Sequence, residues 1–569
     1  MKKTILIFYF IIVPFLFFAQ NPIFQWANKI GSGGYDFTYS LATDTTDNVY
    51  ITGSFSGVVD FDPGVGTFTL SSPTADNAYI AKYNGTGNIL WAQKLEGKIN
   101  SVGSAITYDK LGFIYVAGTF ADTVDFDPSL GTYTLASSGL ADVFISKYDL
   151  LGNFIWAKKI GGSQSEGCQS ISTSNAGDIY LTGNFSSTTD FDPSPAIFSL
   201  TTAGSDDIYI LKLNSAGTFV WAKRIGSTSQ DIGYSVTVDN LGSVHLVGFF
   251  MGTVDFDPNA GVYNMMTPGS SVQNTFVLKL NALGNFVFAK CFQGSYPGKG
   301  MAVAVDINRS IYITGGYSGI TDFDPGSSTF NLTASNTLYS CYIVKLDSSG
   351  SLNFAKSIDN PGSSSSMGTS IAVDSKKNIF TYGGYTYIYN DFDPGPGSYS
   401  LPNYGINDNF ILKLDSIGDF AWVKNFGGSS YDYSTKMSVN KFGSIYTAGY
   451  FTSTVDFNPD APIYSLTAVS YDGFVHKMLE SPTVDISEIL NEKTTIIHPN
   501  PTSGLLTITS KTELQKIEVV SLTGQVLVSE ITTNVSHTVH LENLSNGLYF
   551  VNVYQNDRIV KREKIVLNK

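Results

Sequence analysis

Residues 113–160 have the sequence FIYVAGTFADTVDFDPSLGTYTLASSGLADVFISKYDLLGNFIWAKKI, and most of this stretch recurs along the chain. Its tetrapeptide Asp-Phe-Asp-Pro, the DFDP motif, occurs six times and once more as Asp-Phe-Asn-Pro, at intervals of 65 to 69 residues. The seven copies begin at Asp60, Asp125, Asp190, Asp255, Asp322, Asp391 and Asp456. A nearly fixed period indicates a repeat architecture rather than several unrelated domains.

Three further landmarks recur seven times in the same order. The first is an aromatic residue followed by Ala or Val, at Trp26, Trp91, Trp156, Trp221, Phe288, Phe354 and Trp422. The second is a lysine inside an apolar segment, at Lys82, Lys147, Lys212, Lys279, Lys345, Lys413 and Lys477. The third is a glycine, at Gly53, Gly118, Gly183, Gly248, Gly315, Gly383 and Gly449. Four landmarks in one order predict seven structural units.

Alternation of apolar and polar residues predicts four strands in each unit. In the second unit these are strand A at residues 104–108, strand B at 113–120, strand C at 143–148 and strand D at 154–160. We expect the DFDP motif and the residues up to 135 to add an outer hairpin. Four antiparallel strands make one blade, and radial repetition of blades protects the sheet edges. The predicted fold class is therefore all-β, with a seven-bladed β-propeller.

The two ends of the repeat region are complementary. A lone strand D occupies residues 24–30, whereas the seventh unit stops after its strand C at residues 474–478. Pairing these two strands would close the ring with residues from both ends. The alternative, a linear β-solenoid, would need capping repeats and would not require complementary half-units.

The repeat pattern resembles a known family. Ile-Tyr-x-x-Gly and Trp-Ala-Lys, with the turn glycines, are similar to the seven-bladed propeller repeats that are common in secreted bacterial proteins. The resemblance covers about residues 22–479. It implies a fold and says little about activity, because propellers host many functions.

Residues 1–19 have the plan of a secretory signal peptide. Lys2 and Lys3 precede an apolar run over residues 5–18, and Ala19 offers a cleavage site. The alternative is a membrane anchor, but this run is shorter than the roughly 20 residues of a spanning helix. We therefore expect no transmembrane segment in the mature chain, a propeller over residues 20–479 and a linker over residues 480–495.

Residues 496–569 predict a small C-terminal β-sandwich, because strands alternate with Gly and Asn turns. Pro-Asn-Pro-Thr-Ser-Gly at 499–504, Leu-Thr-Gly at 522–524 and Gly-Leu-Tyr at 547–549 resemble the type A C-terminal sorting domain of type IX secretion. The resemblance implies a partner, the type IX secretion machinery, and a secreted or outer-membrane-attached protein of a Gram-negative bacterium. The alternative is a spacer or glycan-binding sandwich.

Composition excludes some classes of partner. The formal net charge is −14, so nucleic acid is not expected as a ligand, and anionic partners in general are disfavoured. Three cysteines, Cys168, Cys291 and Cys341, are too few and scattered for a disulfide framework and are expected to be small buried thiols.

The DFDP motif has two interpretations. Its two carboxylates lie on one side of an extended strand and could supply oxygen ligands to calcium. In the favoured interpretation, Phe anchors the core, Pro ends the strand, and the acids face water or pair with the strand C lysine. No cofactor is therefore expected, and calcium is the alternative. The candidate calcium ligands are Asp60, Asp62, Asp125, Asp127, Asp190, Asp192, Asp255, Asp257, Asp322, Asp324, Asp391 and Asp393.

The connections from strand D to the next strand A differ in every unit, whereas the A–B and C–D turns are short and uniform. Variable loops on a rigid scaffold concentrate recognition, so we predict that the D–A face binds the ligand. Flat amphipathic rings and carboxylates suit sugar or peptide binding, although the tyrosines could instead cap the blades. The candidate residues are Tyr35, Tyr39, Tyr234, Tyr296, Tyr431, Tyr433, Asp36, Asp231 and Asp432.

Two functions remain open at this point. One is a binding or adhesion module that recognises an extracellular glycan or protein; the other is a secreted, glycosidase-like hydrolase of an extracellular polymer. We predict no catalytic residues, because there is no Gly-x-Ser-x-Gly elbow, His-Glu-x-x-His helix or phosphate loop. The longer fifth and sixth units add Gly, Ser, Asn and Tyr rather than acids, which favours binding. The sequence does not identify the ligand.

Overall fold

A computed structural model describes residues 21–334, 338–358, 364–386, 390–480, 495–510, 513–521, 525–555 and 558–569. The predicted signal peptide and nearly all of the predicted linker lie outside these residues. Every regular element in the described ranges is a β-strand, so the all-β prediction is confirmed. A search of the described ranges found no helix with the length and hydropathy to cross a membrane. The chain divides into two compact units, one ending at Ser481 and the other starting at Pro482.

The larger unit contains, within its described residues, seven antiparallel groups of four strands in the order A-B-C-D. The first three are β2 (Phe37–Thr43), β3 (Val49–Asp60), β4 (Thr69–Tyr83), β5 (Ile89–Lys94); β7 (Ser101–Tyr108), β8 (Phe113–Phe120), β11 (Asp142–Asp149), β12 (Phe154–Gly162); and β13 (Glu166–Thr173), β14 (Ile179–Asp190), β15 (Ser199–Leu213), β16 (Phe219–Ile225). The next three are β17 (Ile232–Val238), β18 (Val244–Phe250), β21 (Asn274–Leu280), β22 (Phe286–Gly294); β23 (Gly298–Val305), β24 (Ile311–Tyr317), β27 (Ser340–Leu346), β28 (Leu352–Ser357); and β29 (Ser365–Val373), β30 (Ile379–Thr386), β31 (Asp408–Leu414), β32 (Phe420–Gly428). The seventh is β33 (Asp432–Val439), β34 (Ser444–Phe451), β37 (Asp472–Leu479) and β1 (Ile23–Ile30).

The seventh group joins the two ends of the repeat region. β1 pairs antiparallel with β37, from Ile23 opposite Leu479 to Ile30 opposite Gly473. Trp26 and Ile30 of β1 pack into one core cluster with residues of the first group. The N-terminal strand therefore covers the edge that β37 would otherwise expose.

Outer hairpins turn at the DFDP motifs, and four of them pair with the unit before. Four are separate strand pairs, namely β9 (Thr123–Asp125) with β10 (Thr134–Ala136), β19 (Thr253–Asp255) with β20 (Asn264–Met266), β25 (Ile320–Asp322) with β26 (Asn331–Thr333), and β35 (Thr454–Asp456) with β36 (Ser465–Thr467). The short strand β6 (Glu96–Gly97) of the first unit pairs with the hairpin of the second, with Glu96 opposite Asp125. Gln293 of the fourth unit lies opposite Asp322 in the hairpin of the fifth. The hairpin thus links neighbouring blades rather than only extending its own.

The core lies between adjacent groups of strands. The motif phenylalanines are all buried, at Phe61, Phe126, Phe191, Phe256, Phe323, Phe392 and Phe457. Tyr50 and Ile80 of the first unit share a cluster with Ile106 and Phe144 of the second, and the other interfaces follow the same plan. Side chains from two sheets therefore interdigitate at each interface, as in other face-packed sheets.

The repeated strand C lysine connects neighbouring units. Lys82 Nζ donates to Leu150 O at 3.0 Å, and Lys147 Nζ donates to Ser215 O at 3.0 Å, each in the C–D turn of the next unit. The same relation holds for Lys212, Lys279 and Lys345 with Ala282, Ser348 and Ser416. The expected pairing of this lysine with the DFDP acids is wrong, because the lysine points across the interface.

The lysine and the strand D tryptophan share their acceptor, and this pattern continues between the last unit and the first. Lys477 and Trp26, from opposite ends of the chain, both donate to Gly85 O of the first unit, at 2.7 and 3.1 Å. The seventh unit has no C–D turn, because its strand D is β1. Lys413 and Trp422 instead donate to Glu480 Oε1, at 2.6 and 3.3 Å. A side chain there replaces the missing turn carbonyl.

The smaller unit consists of two antiparallel sheets. One contains β38 (Ile496–His498), β39 (Leu505–Thr509) and β42 (Ser536–His540); the other contains β40 (Lys516–Val520), β41 (Val526–Ile531), β43 (Gly547–Gln555) and β44 (Arg558–Leu567). Leu506 and Ile508 of the first sheet share a buried cluster with Val519, Val551 and Ile565 of the second. Two sheets packed on one apolar core form a small sandwich.

Candidate functional site

A β-bulge interrupts every strand A at the same place. In the first unit the register with strand B shifts between Thr38 and Ser40, so Tyr39 has no partner. The repeated strand B glycine faces this bulge. A Cβ atom on Gly53 would lie 1.8 Å from Phe37 O, so a side chain does not fit there. The glycine landmark is therefore needed for the close approach of the bulged backbone.

The bulges direct one side chain from each unit into a common central cavity. The seven bulged residues are Tyr39, Ser104, Gln169, Tyr234, Met301, Thr369 and Thr435. All seven line a cavity of about 710 Å³ between the A strands, which falls within the range of known ligand pockets. We call these residues the bulge ring. Its members differ from unit to unit, whereas the landmark positions barely change.

The residue after each bulge is small in six units and basic in the seventh. Ser40, Ala105, Ser170, Ser235, Ala302 and Ser370 are buried, whereas the seventh unit has the half-buried Lys436, which lines the cavity together with most of these residues. Loss of hydration lowers the pKa of Lys436 below its usual value. Sequence reasoning missed this residue, although comparing the seven repeats column by column would have found it.

An aromatic group, which we call the tyrosine cluster, extends from the D–A face to the cavity. Its members are Tyr35, Phe37, Tyr39, Tyr431, Tyr433, Tyr450 and Tyr471. Ring centroids are 4.9 Å apart for Phe37 and Tyr450, and 4.7 Å apart for Tyr433 and Tyr450. Burial raises the pKa of Tyr450 to about 12, so its hydroxyl is neutral. The cluster spans the first and seventh units, where the two chain ends meet.

The structure brings four of the six candidate tyrosines together. Tyr35 and Tyr431 are 57% and 40% exposed at the outer end of the tyrosine cluster, and Tyr39 forms its inner end. Tyr433 is half-buried between them. Tyr234 lies elsewhere on the cavity wall, and Tyr296 stands apart on the surface.

The three candidate aspartates differ from the expectation, because each is fully buried. Asp36 accepts hydrogen bonds from the Ser32 and Ser56 amides at 2.7 and 3.0 Å, and Asp231 holds its own loop in the same way. Burial raises the pKa of both carboxyls to about 6. These aspartates stabilise the D–A loops, and this role depends on a loop conformation that the sequence does not reveal.

Asp432 and Asp408 are both buried, and neither forms an ion pair with a cationic side chain among the described residues. Asp432 accepts from the Gly428 amide at 2.7 Å and Asp408 from the Tyr404 amide at 2.6 Å, and one oxygen of each has no partner among the described residues. The equivalents of Asp408 in three other units pair with Lys29, Lys159 or Arg224, but here Asn425 occupies that position. Burial raises the pKa of Asp408 to about 7 and that of Asp432 to about 8.

The DFDP carboxylates hold the loop of their own hairpin. Asp125 Oδ1 accepts from the amides of Asp127 and Tyr133 at 3.1 and 2.8 Å, and Asp127 Oδ1 accepts from the Ser129 amide at 3.0 Å. The first acid makes the equivalent pair of bonds in all seven units. In the described part of the chain, no three His, Cys, Asp or Glu side chains lie close enough to hold a metal ion.

Comparison with known families identifies the C-terminal unit. Residues 496–568 match the family described as the secretion system C-terminal sorting domain. This agrees with the motifs at 499–504 and 547–549. The protein is therefore exported by type IX secretion and is secreted or held at the cell surface.

Comparison with curated proteins finds relatives of the repeat region. The WD repeat-containing protein L264 of Acanthamoeba polyphaga mimivirus is 27% identical over 63% of this chain and 30% of its own length. The regulatory protein FlaEY of Caulobacter vibrioides is 21% identical over 35% of this chain and 21% of its own length. The matched part thus spans less than a third of either relative.

Among solved structures, Sqt1 from Chaetomium thermophilum is 10% identical with a TM-score of 0.38, and the match covers 79% of this chain and all of that one. PorZ, a surface component of the type IX secretion system of Porphyromonas gingivalis, is 10% identical with a TM-score of 0.25, over 94% of this chain and 81% of its own. Similarity at this level does not assign a site. What the comparisons establish for this chain is that it carries a C-terminal secretion sorting domain.

Proposed function

We propose that residues 21–480 form a seven-bladed β-propeller that binds an extracellular glycan in its central cavity. The observation that carries the proposal is the bulge ring, because the seven units each place one side chain around the same space and these side chains are of five different types. A scaffold that repeats its structural residues and varies the residues facing a cavity is suited to recognition.

The contacts of the A strands support seven blades in a ring. Each strand A contacts the next one, in the order β2, β7, β13, β17, β23, β29 and β33, and β33 also contacts β2. The first and last members are joined by Thr43 Oγ1 and Ser438 Oγ at 2.9 Å, and by Thr435 Oγ1 donating to Thr38 O at 3.0 Å. The pairing of β1 with β37 completes the last blade.

The tyrosine cluster supports a glycan as the ligand. Tyr35 and Tyr431 present ring faces at the surface, and such rings bury the apolar face of a sugar while their hydroxyls bond its polar edge. The cluster leads inward to Tyr39 and the cavity, where Gln169 and Ser104 add polar groups. A chain of rings followed by polar side chains fits a linear or branched oligosaccharide.

The lining of the cavity favours binding over hydrolysis. Glycoside hydrolysis usually requires two carboxyl groups beside the scissile bond. The described residues that line the cavity include no aspartate or glutamate. The buried carboxyls of the D–A loops, Asp36, Asp231 and Asp432, instead accept hydrogen bonds from the backbone.

The test is a glycan array probed with the wild-type protein, followed by calorimetry on the best glycan. Y39A and Y234A should each weaken binding by about tenfold or more, because each removes a ring from the cavity wall. Y133A, which removes a tyrosine from an outer hairpin, is the matched control and should bind normally. An array with no glycan bound, or variants Y39A and Y234A with wild-type affinity, would contradict the proposal.

A further inference from the structure

Lys436 breaks the repeat at a position that faces the cavity. The six equivalent residues are Ser or Ala and are buried, whereas Lys436 is half-buried. A lysine costs more to order than a serine and has no counterpart in the other units. Six units form the same strand without a lysine at this position, so Lys436 is not required for the fold of the repeat.

The ammonium group of Lys436 has no partner among the residues that the structure describes. In the ranges that the structure describes, it makes no ion pair and donates no hydrogen bond, and no ring lies under it. It is also the only charged side chain among the described residues lining the cavity. A partly desolvated cation without a counter-charge is unfavourable, and an anion bound beside it would relieve that cost.

Other lysines of the propeller show what a structural role looks like. The strand C lysines all donate to a neighbouring unit, as Lys147 does to Ser215 O at 3.0 Å. Lys299, at the end of another strand A, lies 5.5 Å from the Phe249 ring and 5.9 Å from the Tyr339 ring. Lys436 has neither kind of contact, so stabilising the fold does not account for it.

We propose that the cavity binds a glycan bearing one acidic group, a carboxylate or a sulfate, and that Lys436 holds this group. The inference rests on the proposed function and specifies its ligand class. The net charge of −14 disfavours a polyanion, because its distant charges would be repelled. An otherwise neutral glycan with a single acidic sugar carries one negative charge, and Lys436 would neutralise that charge in the cavity.

The experiment compares full-chain variants on matched acidic and neutral glycans. An array containing uronic acids beside their methyl esters, and sulfated sugars beside their unsulfated forms, identifies the ligand and the kind of acid. Calorimetry then uses the best acidic glycan. K436S installs the residue of the other units, K436R keeps the charge, and K441S removes an exposed lysine from the A–B turn of the same blade as a control.

We expect the bound glycans to be acidic and K436S to weaken binding about thirtyfold or more, because it removes one partner of a desolvated charge pair. K436R should retain most of the affinity, and K441S all of it. K436S should lose the preference for the acid over its neutral form, which a purely structural lysine would leave intact. Wild-type affinity of K436S for the acidic glycan, or an array on which only neutral glycans bind, would overturn this inference and leave the proposed function standing. An array with no glycan bound would overturn both.

Discussion

Replacing Ile30 by alanine tests whether β1 is an integral strand of the seventh blade. Ile30 is 0% exposed and packs with residues of the first unit, although it lies near the start of the described chain. Its equivalent in the second unit, Ile160, is 1% exposed in a strand D that follows its strand C directly. If the closure is correct, the two isoleucines have the same structural role.

The magnitude follows from the carbon atoms removed. Ile to Ala deletes three buried carbons, worth about 0.8 kcal/mol each, and the cavity left behind adds to that. The loss should lie within the roughly 2–5 kcal/mol seen for such core truncations. I30A and I160A should therefore lose similar stability. I23A, at a position 56% exposed on the same strand, should lose no more than about 0.5 kcal/mol.

The assay is urea denaturation followed by tryptophan fluorescence. All five tryptophans lie in the larger unit, so the signal does not include unfolding of the sorting domain. Coincident transitions by circular dichroism would allow a two-state free energy to be assigned. A wild-type midpoint for I30A together with a lowered midpoint for I160A would refute the closure.

Three further predictions concern other parts of the molecule. Burial raises the pKa values of Asp408 and Asp432 to about 7 and about 8, so the folded state binds protons more tightly than the unfolded state does. Their contribution to the free energy of unfolding should therefore be largest near pH 4 and fall as the pH rises to about 8, and D432N should flatten this slope in urea melts. D125A should lower the free energy of unfolding by about 1–3 kcal/mol, because two hairpin amides lose their acceptor, and D125N should lower it by less. A chelator should leave the melting temperature of the wild-type protein unchanged, and a shift of several degrees would indicate bound calcium. Deleting residues 496–569 should leave the propeller folded but retain it inside the cell, and its appearance in the medium would contradict the sorting assignment.

Most of the fold was predictable because apolar alternation and turn residues act locally. Strand B of the second unit was predicted at residues 113–120 and lies there, and strand A extends three residues further back than expected. The complementary ends predicted the partner of β1. The partner of the strand C lysine was not predictable, because it depends on how two blades pack in space.

The site was predicted only in part. Loop variability and tyrosine content identified the D–A face, where Tyr35 and Tyr431 do lie exposed. The bulge ring was missed because one extra residue in a short strand resembles ordinary alternation. The repeated Gly53 position was the available signal, since a strand glycine marks a bulge or a close backbone approach.

The most direct test of the central claim is protection of single cysteines by the bound glycan. S104C places a thiol in the bulge ring, and L151C places one on an exposed C–D turn. Burial raises the pKa values of the native thiols Cys168, Cys291 and Cys341 to about 12, so they should react slowly with maleimide at neutral pH. A saturating glycan should slow labelling of S104C and leave L151C unaffected. Protection of L151C with no protection of S104C would contradict the claim that the ligand occupies the central cavity.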